Sequence, residues 1–125
     1  MKARVSLNSV AFAVLVIGLT ACGKKAAPAD ASQPLQQSFQ TAEPDVKQAI
    51  TSATASLKSG NYSEATRALA PVVTARPLNQ AQIQAVSVAL DQINHAVTSD
   101  PKLDTKEMYE MRQKMFQAIR RGPRF

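Results

Sequence analysis

Between residues 44 and 121 apolar side chains recur three and four positions apart, and Ser59-Gly60-Asn61, Arg76-Pro77 and Ser99-Asp100-Pro101 cut that pattern into four segments. Spacing of this kind puts each apolar set on one side of an α-helix. A first helix is predicted from Pro44, a residue suited to the first turn, with Val46, Ala49, Ile50, Ala53 and Leu57 as its stripe. Gly60 stops it, since glycine most readily takes the left-handed conformation past a helix end. Ser63 is the expected cap of a second helix that buries Ala65, Ala68, Leu69, Val72 and Val73. Pro71 lacks the N–H that would bond the carbonyl of Arg67, so a kink or an early stop is expected there, and Arg76-Pro77 ends the segment.

The third and fourth helices carry their own start signals. Asn79 with Gln82 forms a capping box, and Leu78 with Ile83 a hydrophobic staple; Asp104 with Glu107 and Leu103 with Met108 repeat the device. The third helix has a seam of Ile83, Val86, Leu90, Ile93 and Val97, with Ala81, Ala85, Val88, Ala89 and Ala96 round to one side. It is expected at the centre, contacted on two sides, with Gln84, Ser87, Asp91 and His95 facing solvent. The fourth, running to about Arg121, presents Met108, Tyr109, Met111, Met115, Phe116 and Ile119 to the core, and Arg112 is expected to snorkel outward from that arc.

Ahead of these segments, Lys2 and Arg4 precede an apolar-to-small run from Val10 to Leu19, which is shorter than the roughly 20 residues a membrane-spanning helix needs. Basic start, short apolar run and small residues match a cleaved secretory signal. The run ends in Leu19-Thr20-Ala21-Cys22. These four residues resemble a bacterial lipobox, and the resemblance implies that residues 1–21 are a lipoprotein signal peptide. It also implies that Cys22, the only cysteine, is acylated with chains such as palmitate and becomes the new N-terminus. Gly23 is not the aspartate that the family associates with inner-membrane retention, so the outer membrane, facing the periplasm, is the implied location. Two or more acyl chains anchor stably where one binds marginally. Residues 22–43, rich in Ala, Gln, Ser and Pro, read as the acylated cysteine and a flexible, disordered linker. Within it Leu35 and Phe39 lie four apart, so a short helix could form and dock, or the segment could stay extended.

Cleavage before Cys22 would remove Lys2 and Arg4, leaving 13 basic and 9 acidic side chains. Residues 22–111 hold 8 basic and 9 acidic groups, so the basicity belongs to the C-terminal end: Arg112, Lys114, Arg120, Arg121 and Arg124 follow Glu110 with no acid among them. Cations in a last helical turn complement the helix dipole. They also suit an anionic surface, and Arg120, Arg121 and Arg124 are the candidate partner or surface contacts. Residues 122–125 form a short basic tail. A secreted, lipid-anchored chain does not normally meet nucleic acid, so no nucleic-acid partner is expected.

The run Leu57-Lys58-Ser59-Gly60-Asn61-Tyr62-Ser63-Glu64-Ala65, continuing to Ala68-Leu69, resembles the core of a tetratricopeptide repeat. In that family the glycine, the aromatic two later and the alanine three later still let two helices cross closely. The match covers one hairpin, and Leu78 to Val97 lacks a second such motif, so no peptide-binding residues carry over. The expected fold is all-α: about four helices in residues 44–121, as two antiparallel hairpins forming a bundle or a short right-handed superhelix.

Catalytic chemistry has little to stand on. No Ser/His/Asp order, no His/Cys/carboxylate cluster with ligand spacing and no Gly-rich phosphate loop occurs, and His95 is the only histidine. No enzyme, cofactor or metal is expected. Two functions fit: a helical binding or scaffolding module on a lipid anchor with an envelope protein partner, or a small surface-structuring or stress-type lipoprotein whose basic tail meets anionic envelope components.

Overall fold

The computed structural model describes residues 29–123. Cys22, the signal and lipobox residues, and Arg124 lie outside the described residues. Five α-helices form within them: α1 (Ser32–Ser38), α2 (Pro44–Ser59), α3 (Tyr62–Ala75), α4 (Gln80–Ser99) and α5 (Lys106–Arg120), with a 3-10 turn at Pro101–Leu103 ahead of α5. Each packs on the next in a closed order: α1 on α2, α2 on α3, α3 on α5, α5 on α4, and α4 back on α1. The third predicted helix, α4, is contacted on two sides as expected, by α1 and by α3 and α5, but it is not uniquely central, since α3 also has three helix neighbours, α2, α4 and α5. The last pair is not a self-contained hairpin, because α5 lies across α3 as well as α4.

The fifth helix is the main addition to the expected architecture. Residues 32–38, within the stretch read as linker, are helical, and Ala31, Leu35 and Phe39 are buried in the core. Seven residues make a marginal helix in isolation. Burying a leucine and a phenylalanine contributes about 1.5–3 kcal/mol each, and α1 exists because α2 and α4 supply that surface. Its start is tied down by the Ala31 N–H, which donates to Gln92 Oε1 at 3.0 Å, and by Asp30, whose carboxylate takes the Ser32 N–H at 3.0 Å and the Ser32 hydroxyl at 2.8 Å. The bond from the Ser32 backbone, then that from its hydroxyl, hold the Asp30 carboxyl below its ordinary value.

The α2–α3 turn follows the glycine argument closely. Gly60 has φ +77°, and the Asn61 N–H closes back on the Ser56 carbonyl at 2.8 Å. Asn61 rather than Ser63 caps α3: its side chain accepts from the Glu64 N–H at 3.4 Å, and Ser63 already lies inside the helix. The same residue closes one helix and opens the next, which leaves no room for a later cap. Pro71 neither stops α3 nor sets its end, which comes at Ala75 with Arg76 extended before Pro77. Pro71 is on the exposed side of the helix, as is Arg67 one turn earlier, while Val72 and Val73 stay buried.

The capping box of α4 is complete, with the Gln82 N–H on Asn79 Oδ1 at 2.9 Å and the Asn79 N–H on Gln82 Oε1 at 3.0 Å. At α5 the start shifts by one residue. The 3-10 turn consumes the chain through Asp104, and Thr105 caps by accepting from the Met108 N–H at 3.2 Å. Three buried hydroxyl residues are all satisfied locally: Thr54 donates to the Thr51 carbonyl, Thr66 to the Tyr62 carbonyl, and Ser32 to Asp30.

Candidate interaction face on α5

α5 is amphipathic in a way its sequence only half declares. Met108 and Met115 are buried, and Met111, Ala118 and Ile119 pack partly against the core. Tyr109 and Phe116, expected inside, are the two large hydrophobic side chains exposed among the described residues, at 54% and 47%. The physical reason is the packing angle. α3 and α4 contact one flank of α5, and at 100° per residue positions 109 and 116 lie well round from the buried Met108–Met115 line.

Arg120 joins the two aromatics. It stands eleven residues after Tyr109 and four after Phe116, so the three fall within about 20° of one line along the helix. The Arg120 guanidinium carbon is 5.7 Å from the centroid of the Phe116 ring, within cation–π range. Arg121 is exposed beside it, lining a shallow depression with Gln117 and Arg120. Among the described residues Lys114, Arg120 and Arg121 have no acidic partner, whereas Lys106 sits 3.9 Å from Glu110.

Not all of the C-terminal basicity is available. Arg112 does not snorkel outward; it donates to Asn94 Oδ1 on α4 and to Asp104 Oδ1, each at 2.8 Å, and its side chain is 16% exposed. The expected Asp104 cap is thereby used as an ion-pair partner. Further up the bundle, Arg67 of α3 bridges Glu64 and, at 3.0 Å, Glu107 of α5. The hydrogen bonds to Glu107 and then Glu64 push the Arg67 guanidinium upward, and the bond from Arg67 holds the Glu107 carboxyl below its ordinary value. Arg76 pairs with Glu43 and Asp45 across the α2–α3 base, and the hydrogen bond to Glu43 raises its value first of all. These cations are structural staples, whereas Lys114, Arg120 and Arg121 on the C-terminal half of α5, like Lys47 and Lys58 on α2 and Lys102, have no acidic partner among the described residues.

A second shallow depression, between α1 and α4, is lined by Pro34, Gln37, Ser38, Ala81, Gln84, Ala85 and Val88 and carries no charge. His95 is exposed on α4. Among the described residues no group of three or more His, Cys, Asp or Glu side chains is placed to hold a metal ion, and no helix is long and apolar enough to cross a membrane. Of the candidate contacts, Arg120 and Arg121 are adjacent on the exposed end of α5. Tyr109 and Phe116, the aromatic half of this face, could not be singled out from helical spacing alone.

No protein-family model matches this chain, and neither a curated protein nor a solved structure matches it.

Proposed function

We propose that the chain is a lipid-anchored envelope protein, acylated on Cys22 and held at the outer membrane facing the periplasm, where its helical domain serves as a small binding or scaffolding module. The single observation that carries this is the run Val10 to Leu19, whose last leucine opens Leu19-Thr20-Ala21-Cys22, with the only cysteine of the chain at the acylation position. No catalytic role is proposed. The α2–α3 pair is taken as a tetratricopeptide-like hairpin, supported by full burial of Ala65 and partial burial of Tyr62, both in the first turns of α3 after the Gly60 turn. The test is a Cys22→Ala variant grown with labelled fatty acid. Loss of label and of sedimentation with the outer membrane is expected; a variant that still labels and still pellets would sink the proposal.

A second reading, a surface-structuring lipoprotein that meets anionic envelope components, is favoured by Arg120 and Arg121, which have no acidic partner among the described residues. Salt separates the two, since a charge-driven contact fades with ionic strength and an apolar contact does not.

A further inference from the structure

We infer that the outer face of α5, built from Tyr109, Phe116 and Arg120 with Arg121 at its flank, docks on an anionic lipid bilayer. The inference rests on the lipid-anchored reading for its geometry and on the exposed side chains for its chemistry. Two aromatic rings about half exposed on one line of a helix are costly to leave in water, and tyrosine and phenylalanine beside arginine suit an interface where rings enter the headgroup zone and cations meet phosphates. Charge selects the occupant. Arg120 lies on the aromatic line, and Arg121 and Lys114 flank it about 120–140° round the helix from Tyr109; none of the three has an acidic partner among the described residues, and Glu110 lies 3.9 Å from Lys106. A zwitterionic or cationic surface gains nothing from that arrangement, while an anionic leaflet attracts each cation.

The tether points the same way. Because α1 is docked, only residues 23–30 lie between Cys22 and Ala31, a fully stretched span of about 30 Å. Ala31 bonds Gln92 and Arg112 bonds Asn94, so the start of α1 and the middle of α5 lie at the same level on the two flanks of α4. Two helix–helix spacings carry the start of α1 to the axis of α5, about 20 Å, and about 5 Å more reach its outer surface, within the stretched span of the tether. An acyl anchor at Cys22 can therefore enter the same bilayer on which α5 rests, and the anchor raises the local concentration of lipid at that face.

The chain contains no tryptophan, so Phe116→Trp places a single indole at the centre of the face. The acylated protein carrying this substitution is reconstituted in vesicles of phosphatidylglycerol and phosphatidylethanolamine, and separately in phosphatidylcholine. On the anionic vesicles we expect blue-shifted emission quenched by brominated acyl chains, and on the zwitterionic ones exposed, unquenched emission. Adding Arg120→Gln and Arg121→Gln should lower the docked-to-undocked ratio about 25-fold, each cation near an anionic surface being worth about fivefold. Raising ionic strength toward 1 M, where the screening length is about 3 Å, should have a similar effect. Emission that is the same on both vesicle types, or docking indifferent to salt and to the two arginines, would overturn the inference. The mass of the purified chain tests the anchor separately: an unacylated Cys22 defeats the proposed function, while the indole at position 116 still decides the face when the same chain is added to those vesicles.

Discussion

The helix caps show how much one residue of displacement matters. Asn61 caps the first turn of α3 with its side chain, so Asn61→Ala should cost about 1 kcal/mol in a urea melt, whereas Ser63→Ala should change the midpoint little. Equal effects would mean that the start of α3 is not as described. Met115 and Phe116 make an equally sharp neighbouring contrast. Met115 is fully buried, and its truncation to alanine should destabilise by about 2–5 kcal/mol. Phe116→Ser, removing a half-exposed ring, should fall within about 0.5 kcal/mol of the parent, as surface substitutions do. A loss at 116 as large as that at 115 would place the ring in the core after all.

At the scale of elements, α1 and the α3–α5 staple carry the consequences. Leu35 is wholly buried under a helix that cannot persist alone, so Leu35→Ala should destabilise the domain by about 2–5 kcal/mol and expose the segment before Pro44 to proteolysis. A freely jointed linker would show neither effect. The Arg67–Glu107 pair has a pH signature. The folded-state value of Glu107 is depressed, so the stability it contributes is present above the usual carboxylate range and is lost as pH falls through the lowered folded value. Asp30, also depressed by Ser32, acts in the same sense at the start of α1. Acid titration below about pH 4 should therefore loosen α1 and the α3–α5 contact, and Glu107→Gln should remove part of that acid dependence at α5. Because both partners are exposed, the effect is modest and should shrink with salt.

For the whole molecule, the closed order of neighbours makes α1 a member of the bundle rather than an appendage. Unfolding followed by far-UV circular dichroism and by hydrogen exchange at Leu35 and Ile93 should report one cooperative transition. An α1 that exchanges far ahead of α4 would show the ring to be open. Much of this organisation was legible from sequence, and what was legible was local. The Gly60 turn, the Asn79–Gln82 box and the Arg76-Pro77 stop each depend on chemistry within four or five residues, and each appears where spacing puts it. The stripes on α2, α3 and α4 likewise follow from helical period, because most of the apolar residues on those helices have core to cover. On α5 the period offered more apolar positions than neighbours could cover, and nothing in the chain's local pattern tells which will be left out. The 3-10 turn at Pro101–Leu103, the pairing of Arg112 with Asn94 and Asp104, and the docking of α1 are in the same position. The sequence by itself determined where α2 to α5 begin and end to within a residue or two, and the all-α class. Only the tertiary structure decided that Leu35 and Phe39 complete the core while Tyr109 and Phe116 stay outside it. Burial depends on which surfaces remain free once the other helices have packed, and that is a property of the assembled bundle.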